Sequence, residues 1–456
     1  MPAQRPLRGP DDLLALHRLD AQRYPHLLQS VTPGGTRGRY DILFAFPERS
    51  FVDADGTGFA DWLDSVAGTP FSQRQATHEI PFAGGWFLYL GYELAYGLES
   101  VLGRSPPHPW GWPAAAAQYC PAAVIRDHLH GRTYAVAADG RESLLGDIET
   151  DAARADRLPA MVSQPLHAVL EEAPVDGYLA GVERILDYIR EGDVFQVNLS
   201  RAWHAHSVAG HDAASVYARL RLANPAPFAA LATFGSRAII SSSPERLVAH
   251  DNGWLSTRPI AGTRPRGRSA SADRALLEAL AAHPKERAEH VMLIDLERND
   301  LGRVAQTGTV EVDELMAIES YAHVHHIVSN VRARPRPGLR AGELVRAVFP
   351  GGTITGCPKI RCMQILRELE REARGAYTGA VGYLSEHGRM DLNILIRTLE
   401  WDDGALRFRT GGGIVADSRP EAELAETRHK AEGLIRRSAS HGDARRNGHL
   451  AATVCK

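Results

Sequence analysis

The chain has 456 residues, of which 44% are hydrophobic and 23% are charged. These fractions are typical of an ordinary folded protein and exclude disorder as the main state. The 52 basic and 55 acidic side chains leave a formal charge of −3, which is too balanced to indicate a general affinity for nucleic acid or for an anionic membrane. Partners must therefore be inferred from local sites.

Cysteine content and hydropathy favour a cytoplasmic protein. The four cysteines form no C-x-x-C pair and are too few for a disulfide framework, which indicates a reducing compartment. The N-terminal segment lacks the apolar core of a signal peptide, and no stretch approaches the roughly 20 apolar residues of a membrane span. We therefore predict a cytoplasmic chain without a membrane or nucleic-acid partner.

The first part of the chain predicts short strands. Apolar runs at residues 40–46 and 85–90 are typical of strands, and glycine and proline clusters separate them. Residues 139–176 are polar and rich in helix-breaking residues, which favours a domain boundary there. We predict an N-terminal region over residues 1–170, a second region over residues 171–437 and a flexible tail over residues 438–456.

Helical periodicity begins after this boundary. Residues 178–190 carry apolar side chains at helical spacing, and a strand-like run follows at residues 194–200. Further helices are predicted at residues 214–222 and 274–282, and further strands at residues 238–241 and 413–416. The irregular alternation indicates a mixed α+β fold rather than a doubly wound nucleotide-binding fold.

Two pairs of glutamates are candidate metal ligands. Residues three apart share one face of a helix, so Glu286 and Glu289 form one pair, and Glu423 and Glu426 form the other. Four converging carboxylates would suit a hard divalent cation such as Mg²⁺. The alternative for each pair is an ordinary solvated helix face, because basic residues flank Glu286 and Lys430 lies one turn from Glu426.

Two glycine-rich segments predict turns that a ligand can approach. Residues 351–359 offer backbone N–H groups and Lys359 to an anion, although they lack the Gly-Lys-Ser/Thr of a nucleotide-binding P-loop. Three consecutive glycines, Gly411, Gly412 and Gly413, leave the backbone bare before a strand-like run. A plain tight turn explains the three glycines equally well.

The chain resembles the chorismate-utilising enzymes, which include anthranilate synthase component I, aminodeoxychorismate synthase component I, and the isochorismate and salicylate synthases. The matching blocks follow one another in family order between residues 178 and 435. They include EGDVFQVNLSR, SSSPERLV, RPIAGTRPRG, HPKERAEHVMLIDLERNDLGRV, FPGGTITGCPKIR, MDLNILIRTL and GGGIVADSRPEAELAETRHKAEGL. The resemblance implies an α+β fold with two packed antiparallel sheets and outer helices.

The resemblance also implies a metal and a substrate. Glu289 and Glu426 are similar to direct Mg²⁺ ligands, and Glu286 and Glu423 are similar to residues that hold water beside the metal. The residues similar to those that hold chorismate are Ala261, Gly262, Thr263, Tyr383, Arg397, Gly411, Gly412, Gly413 and Lys430. Two carboxylates on one substrate suit this mixture of cations and bare backbone.

Four further residues resemble the catalytic residues of the family. Glu245 matches the general acid, His326 matches an active-site histidine near the ring, and Thr353 lies in a motif that contacts substrate. Gln196 occupies the position at which the members that add water resemble one another in having a lysine. Glutamine cannot deprotonate water, so ammonia is the expected nucleophile.

Two members of the family use ammonia, and the sequence evidence for them conflicts. Ala261 follows the anthranilate synthase pattern, since many aminodeoxychorismate synthases have a nucleophilic lysine there. The blocks GRYDIL, QVNLS, NPAPF, SPERLV and FPGGTITG instead resemble aminodeoxychorismate synthase. We therefore predict amination of chorismate at C4, for 4-aminobenzoate and folate synthesis.

Two alternatives and one partner complete these expectations. The first alternative is anthranilate synthase component I, which aminates C2 with loss of pyruvate for tryptophan synthesis. The second is a non-catalytic scaffold that binds chorismate. No glutaminase signature accompanies the chain, so ammonia is expected from solution or from a separate glutamine amidotransferase subunit.

Overall fold

The computed structural model describes residues 2–31, 38–71, 79–159, 161, 166–206, 211–321, 324–432, 434–437 and 449–454. Their strands form two antiparallel sheets of 14 and 10 strands, and helices surround them. The predicted mixed α+β fold with two sheets is confirmed.

The strands are numbered in chain order. They lie at Ala3–Pro6 (β1), His26–Gln29 (β2), Tyr40–Ala45 (β3), Arg49–Asp53 (β4), Gly85–Leu90 (β5), Ala115–Cys120 (β6), Ala122–Asp127 (β7), Arg132–Ala137 (β8), Leu166–Glu172 (β9), Gln196–His206 (β10), Phe228–Phe234 (β11), Arg237–Ser243 (β12), Arg246–Asp251 (β13), Trp254–Arg258 (β14), Ile260–Pro265 (β15), Glu311–Ser320 (β16), Val324–Ala333 (β17), Gly356–Cys357 (β18), Ala380–Ser385 (β19), Met390–Asn393 (β20), Thr398–Asp402 (β21), Ala405–Ile414 (β22), Ile435–Arg437 (β23) and His449–Val454 (β24).

The helices are numbered in the same way. They lie at Leu14–Leu19 (α1), Phe59–Ala67 (α2), Leu94–Leu98 (α3), Leu144–Ala155 (α4), Val175–Arg190 (α5), Ala213–Ala223 (α6), Ala270–Ala282 (α7), Pro284–Gly302 (α8), Ala341–Val348 (α9), Lys359–Glu370 (α10) and Pro420–Glu432 (α11). Among the described residues, no helix combines the length and the apolar composition that crossing a bilayer requires.

Both sheets draw strands from most of the chain. The larger sheet has the order β1-β8-β7-β3-β2-β11-β12-β21-β22-β10-β9-β24-β23, with β18 beside β10. The smaller sheet has the order β15-β17-β14-β13-β20-β19-β5-β6-β4, with β16 beside β17. Strands from before and after residue 170 therefore share each sheet, and the predicted regions interleave in both layers.

The two sheets pack against each other through one shared apolar core. Phe44 and Ile239 enter it from the larger sheet, and Phe87 and Tyr89 enter it from the smaller sheet. Phe87 is fully buried and stacks on His26 with ring centroids 3.8 Å apart. Because β5 is buried on both faces, its sequence is a continuous apolar run rather than an alternating one.

Local structure differs from the sequence prediction at the 411–413 glycine run. These three residues belong to β22, where they pair with Ser200, Leu199 and Asn198 of β10. The strand ends at Ile414, so the strand predicted at 413–416 covers only the last two residues of β22. Pairing with β10, which local sequence does not encode, makes this segment extended instead of a turn.

Two other segments also contain structure that their composition did not predict. The polar stretch 139–176 includes helix α4, whose Leu145 and Ile148 are buried in the core, and strand β9. The region predicted as a flexible tail contains β24, which pairs with β9 and β23. In both segments the structure depends on partners that are distant in sequence.

Replacing Phe87 with alanine should lower the free energy of unfolding by about 3–5 kcal/mol, because the missing ring leaves a cavity between the sheets. Val52→Ala is the control, since Val52 is 65% exposed on β4 and its change should stay within about 0.5 kcal/mol. Urea unfolding followed by tryptophan fluorescence measures both. Equal effects of the two substitutions would contradict the shared core.

Candidate active site

The glycine run at the end of β22 allows several polar side chains to approach the backbone closely. A Cβ atom on Gly412 would lie 3.3 Å from a carboxylate oxygen of Glu423 and 3.6 Å from one of Glu426. A Cβ atom on Gly413 would lie 2.1 Å from the side-chain nitrogen of Gln196. Because these glycines have no side chains, residues of β10 and of α11 can approach the same stretch of backbone.

The structure gives each of the four predicted metal-binding glutamates a protein partner. On α8, a carboxylate oxygen of Glu286 lies 3.0 Å from Arg264 Nη1, and one of Glu289 lies 3.3 Å from Gln196 Nε2. On α11, an oxygen of Glu423 lies 2.6 Å from Ser418 Oγ, and one of Glu426 lies 2.7 Å from Lys430 Nζ. Across the described ranges, no three metal-ligating side chains converge closely enough to hold an ion.

The donor set nevertheless suits Mg²⁺. All four side chains are carboxylates, which are the ligands that hard divalent cations prefer. Gly412 leaves space against Glu423 and Glu426, and Gln196 connects Glu289 to the neighbouring Gly413. The four glutamates therefore fit a divalent cation if the cation replaces their present hydrogen-bond and ion-pair partners.

Glu245 lies in the connection between β12 and β13 and is only 5% exposed. Burial raises the pKa of Glu245 from 4.5 to about 7, and the Thr353 hydroxyl, the Ile260 backbone and Arg397 offset only part of that effect. Its Oε1 atom has no hydrogen-bond partner within the described part of the chain. A carboxyl group that keeps its proton near neutral pH and has an unoccupied oxygen can act as a general acid.

His326 lies on strand β17, where the charge of Arg397 acts on it. Its Nδ1 atom is 2.9 Å from the hydroxyl of Thr263, which is its pairing partner in β15. Burial and, to a smaller extent, the Arg397 charge lower the pKa of His326 to about 4, so the ring is neutral at pH 7. Its Nε2 atom has no partner among the described residues.

Strand β15 bulges where it faces His326. The pairing register shifts between Ala261 and Thr263, and Gly262 has a φ of +67°. A Cβ atom on Gly262 would lie 2.8 Å from a carboxylate oxygen of Glu286, so glycine is needed here for both space and conformation. Ala261 is buried and presents only a methyl group.

Two cations complete the site. Arg397 has a φ of +53°, which is uncommon for a residue other than glycine, and its Nη1 lies 3.5 Å from Asn224 Oδ1. Burial lowers the pKa of Arg397, and the nearby Glu245 carboxylate opposes that shift. Lys430 donates to the carbonyl of Gly411 at 2.8 Å. Together the two side chains provide positive charge for an anionic ligand.

Tyr383 is the one predicted substrate-binding residue that does not join this group. It lines a separate cavity of about 630 Å³, together with Arg246 and Asp391. Tyr377 reaches the glycine run instead, because a Cβ atom on Gly411 would lie 2.8 Å from its hydroxyl. Both tyrosines occur in the block GAYTGAVGYL, and nothing in that sequence shows which of them faces the site.

The buried Glu245 predicts a pH-dependent stability. Its pKa is about 7 in the folded chain against 4.5 as the reference, so the folded state binds this proton more tightly between those pH values. The contribution of Glu245 to the free energy of unfolding is therefore lost as pH rises from 4.5 through about 7, by about 3 kcal/mol in total. Urea unfolding of the wild type and Glu245→Gln at pH 4, 6 and 8 measures the difference. A difference that does not change with pH would refute the assignment.

The sequence matches a known family over most of its length. Residues 25–436 match the sequence model described as chorismate binding enzyme. The chain is 39% identical to anthranilate synthase component 1 of Pseudomonas putida over 92% of this chain and 91% of that protein. It is 42% identical to an anthranilate synthase component I-like protein of Synechocystis over 79% of this chain and 74% of that protein.

Solved structures agree with this match. Anthranilate synthase component I from Streptococcus pneumoniae superposes with a TM-score of 0.77 at 32% identity, covering 88% of this chain and 93% of that chain. The menaquinone-specific isochorismate synthase MenF of Escherichia coli has a TM-score of 0.70 at 20% identity over 95% of this chain and 94% of its own, which shows likeness of fold alone. The family match, the relatives and the shared fold together show that the chain belongs to the chorismate-binding enzymes.

Proposed function

We propose that this chain aminates chorismate with ammonia in a Mg²⁺-dependent reaction. Gln196 carries the proposal, because its Nε2 donates to Glu289 and its buried Oε1 has no partner among the described residues. An amide oxygen can accept a hydrogen bond from ammonia, but it cannot remove a proton from water. The site therefore offers an acceptor for ammonia where an enzyme that adds water needs a base.

The cations and the glycine run supply the binding site for the two carboxylates of chorismate. Arg397 and Lys430 provide charge, the 411–413 backbone provides N–H groups, and the hydroxyl of Tyr377 lies against Gly411. Mg²⁺ held by Glu289 and Glu426, with Glu286 and Glu423 beside it, would neutralise the ring carboxylate. Tyr377 thus takes the role that the sequence assigned to Tyr383.

Glu245 supplies the proton for the departing C4 hydroxyl. As the C4–O bond breaks, the proton of Glu245 leaves with the oxygen as water, and ammonia forms the new C–N bond. The amine then returns one proton to the Glu245 carboxylate, which balances the reaction as chorismate plus ammonia giving an aminated product plus water. The neutral His326 and the Thr353 hydroxyl, which acts on Glu245, are available to orient the substrate.

For the ring position we propose C4, so that the product is 4-amino-4-deoxychorismate. The support is the resemblance of five sequence blocks to aminodeoxychorismate synthase. Because Ala261 has no nucleophile, ammonia would add without a covalent intermediate at this position. The second candidate is anthranilate synthase, which Ala261 and the names of the relatives favour.

Ammonia from a separate amidotransferase subunit is also part of the proposal. Glutaminase chemistry needs a reactive thiolate, and burial raises the pKa of Cys120, Cys357 and Cys362. Of the cysteines in the described ranges, Cys120 and Cys362 are buried and only Cys357 is partly accessible. These thiols are poor nucleophiles, which supports an external source of ammonia.

Product identification tests the proposed reaction. Purified chain, chorismate, Mg²⁺ and ammonium at mildly alkaline pH should yield a product that retains the enolpyruvyl group and that an added lyase converts to 4-aminobenzoate. Chromatography with mass detection identifies it. Anthranilate with pyruvate would show C2 amination instead, and a covalent chorismate adduct on the wild-type chain would contradict direct addition of ammonia.

Two glutamine substitutions serve as matched variants in the same assay. Glu289→Gln should lower Mg²⁺-dependent turnover by more than about tenfold, because a neutral amide binds a hard cation poorly. Glu278→Gln changes an exposed glutamate of α7 and should retain wild-type turnover. Near-normal activity of Glu289→Gln would contradict the assignment of Glu289 as a Mg²⁺ ligand.

A further inference from the structure

Tyr178 is a buried phenol on α5 that the proposed mechanism does not use. Its side chain is 5% exposed, and its hydroxyl has no hydrogen-bond partner within the described residues. An unsatisfied buried hydroxyl is destabilising, and native proteins rarely retain one without a functional reason. The hydroxyl of Tyr178 therefore needs a partner that the ligand-free arrangement does not supply.

The surroundings of this hydroxyl belong to the candidate active site. Helix α5 packs against α11 and β22, which carry the glutamates and the glycine run. Burial raises the pKa of Tyr178, and the charges of Glu423, Tyr377 and Glu426 raise it further. Arg201, whose guanidinium carbon lies 5.7 Å from the ring centroid, opposes the shift. The phenol therefore keeps its proton and is available as a hydrogen-bond donor between α5 and α11.

Glu423 is the acceptor that fits this donor best. Tyr178 packs in the same buried apolar cluster as Leu424, the residue that follows Glu423 on α11. One oxygen of Glu423 accepts from Ser418 Oγ at 2.6 Å. Its second oxygen lies near Gly412, beside Glu426. A carboxylate that helps to hold a cation usually has a second hydrogen bond that fixes its orientation.

We propose that Tyr178 is a positioning residue whose hydroxyl donates a hydrogen bond to Glu423 and so fixes the α11 glutamates for binding a divalent cation. This role rests on the metal assignment in the proposed function. It acts through Glu423 and requires no contact of Tyr178 with substrate. Removing the single oxygen should therefore weaken cation binding and leave the fold intact.

Isothermal titration of the full chain with MgCl₂ tests this role. Tyr178→Phe should weaken Mg²⁺ binding by about tenfold, as other losses of an outer hydrogen-bond partner do. Tyr188→Phe is the matched control on the same helix, because the hydroxyl of Tyr188 donates to Glu368 Oε2 at 2.9 Å, a pair that holds no candidate metal ligand. Tyr188→Phe should bind Mg²⁺ like the wild type.

Two additional measurements separate this role from a structural one. Without Mg²⁺, the unfolding midpoint of Tyr178→Phe should equal or exceed that of the wild type, since an unsatisfied group has been removed. The double variant Tyr178→Phe/Glu423→Gln should bind Mg²⁺ no more weakly than Glu423→Gln alone, because the hydroxyl acts through that carboxylate.

Three results would overturn the inference. Wild-type Mg²⁺ affinity in Tyr178→Phe, or additive losses in the double variant, would exclude a role through Glu423 while leaving the proposed function intact. A lower unfolding midpoint for Tyr178→Phe would show that the hydroxyl is structural. Absence of Mg²⁺ binding by the wild-type chain would refute the metal assignment itself and the role of Tyr178 with it.

Discussion

The pairing of β10 with β22 through three side-chain-free residues is the constraint on which the site depends. The strand end has no side chains at Gly411, Gly412 and Gly413. This allows the α11 glutamates, Tyr377 and Gln196 to approach the backbone closely. A side chain at Gly413 would collide with Gln196 and displace the residue that distinguishes ammonia from water in our proposal. In our proposal, residues 411–413 therefore affect the pairing of the two strands, the binding of the metal and the choice of nucleophile.

Desolvation gives this site its chemistry. Gln196 Oε1, Glu245 Oε1 and His326 Nε2 are buried polar atoms without partners in the described residues, and each such atom costs about 1–3 kcal/mol. The same burial raises the pKa of Glu245 to about 7, so that roughly half of it is protonated at pH 7, and keeps His326 neutral. A substrate that supplies the missing hydrogen bonds would offset this cost on binding, and for this reason we propose that the substrate binds at these atoms.

Strong local patterns predicted structure well, and patterns that depend on distant partners did not. The apolar spacing at 178–190 and the apolar run at 85–90 correspond to α5 and β5, because each element's own sequence decides its burial. Spacing alone left two interpretations of the glutamate pairs, metal ligands or solvated helix faces, and only the resemblance favoured the metal. Lys359, a candidate anion contact, instead binds Asp300 at 2.5 Å, a pairing that requires the fold.

In our proposal, one substrate site forms where these unpartnered atoms meet the glycine run. A crystal structure of the chain with Mg²⁺ and chorismate tests it most directly. We expect electron density for the ring between Glu245, His326 and Gln196, with the metal held by Glu289 and Glu426. Chorismate bound in the separate cavity beside Tyr383 and Arg246, with the glycine run unoccupied, would contradict it.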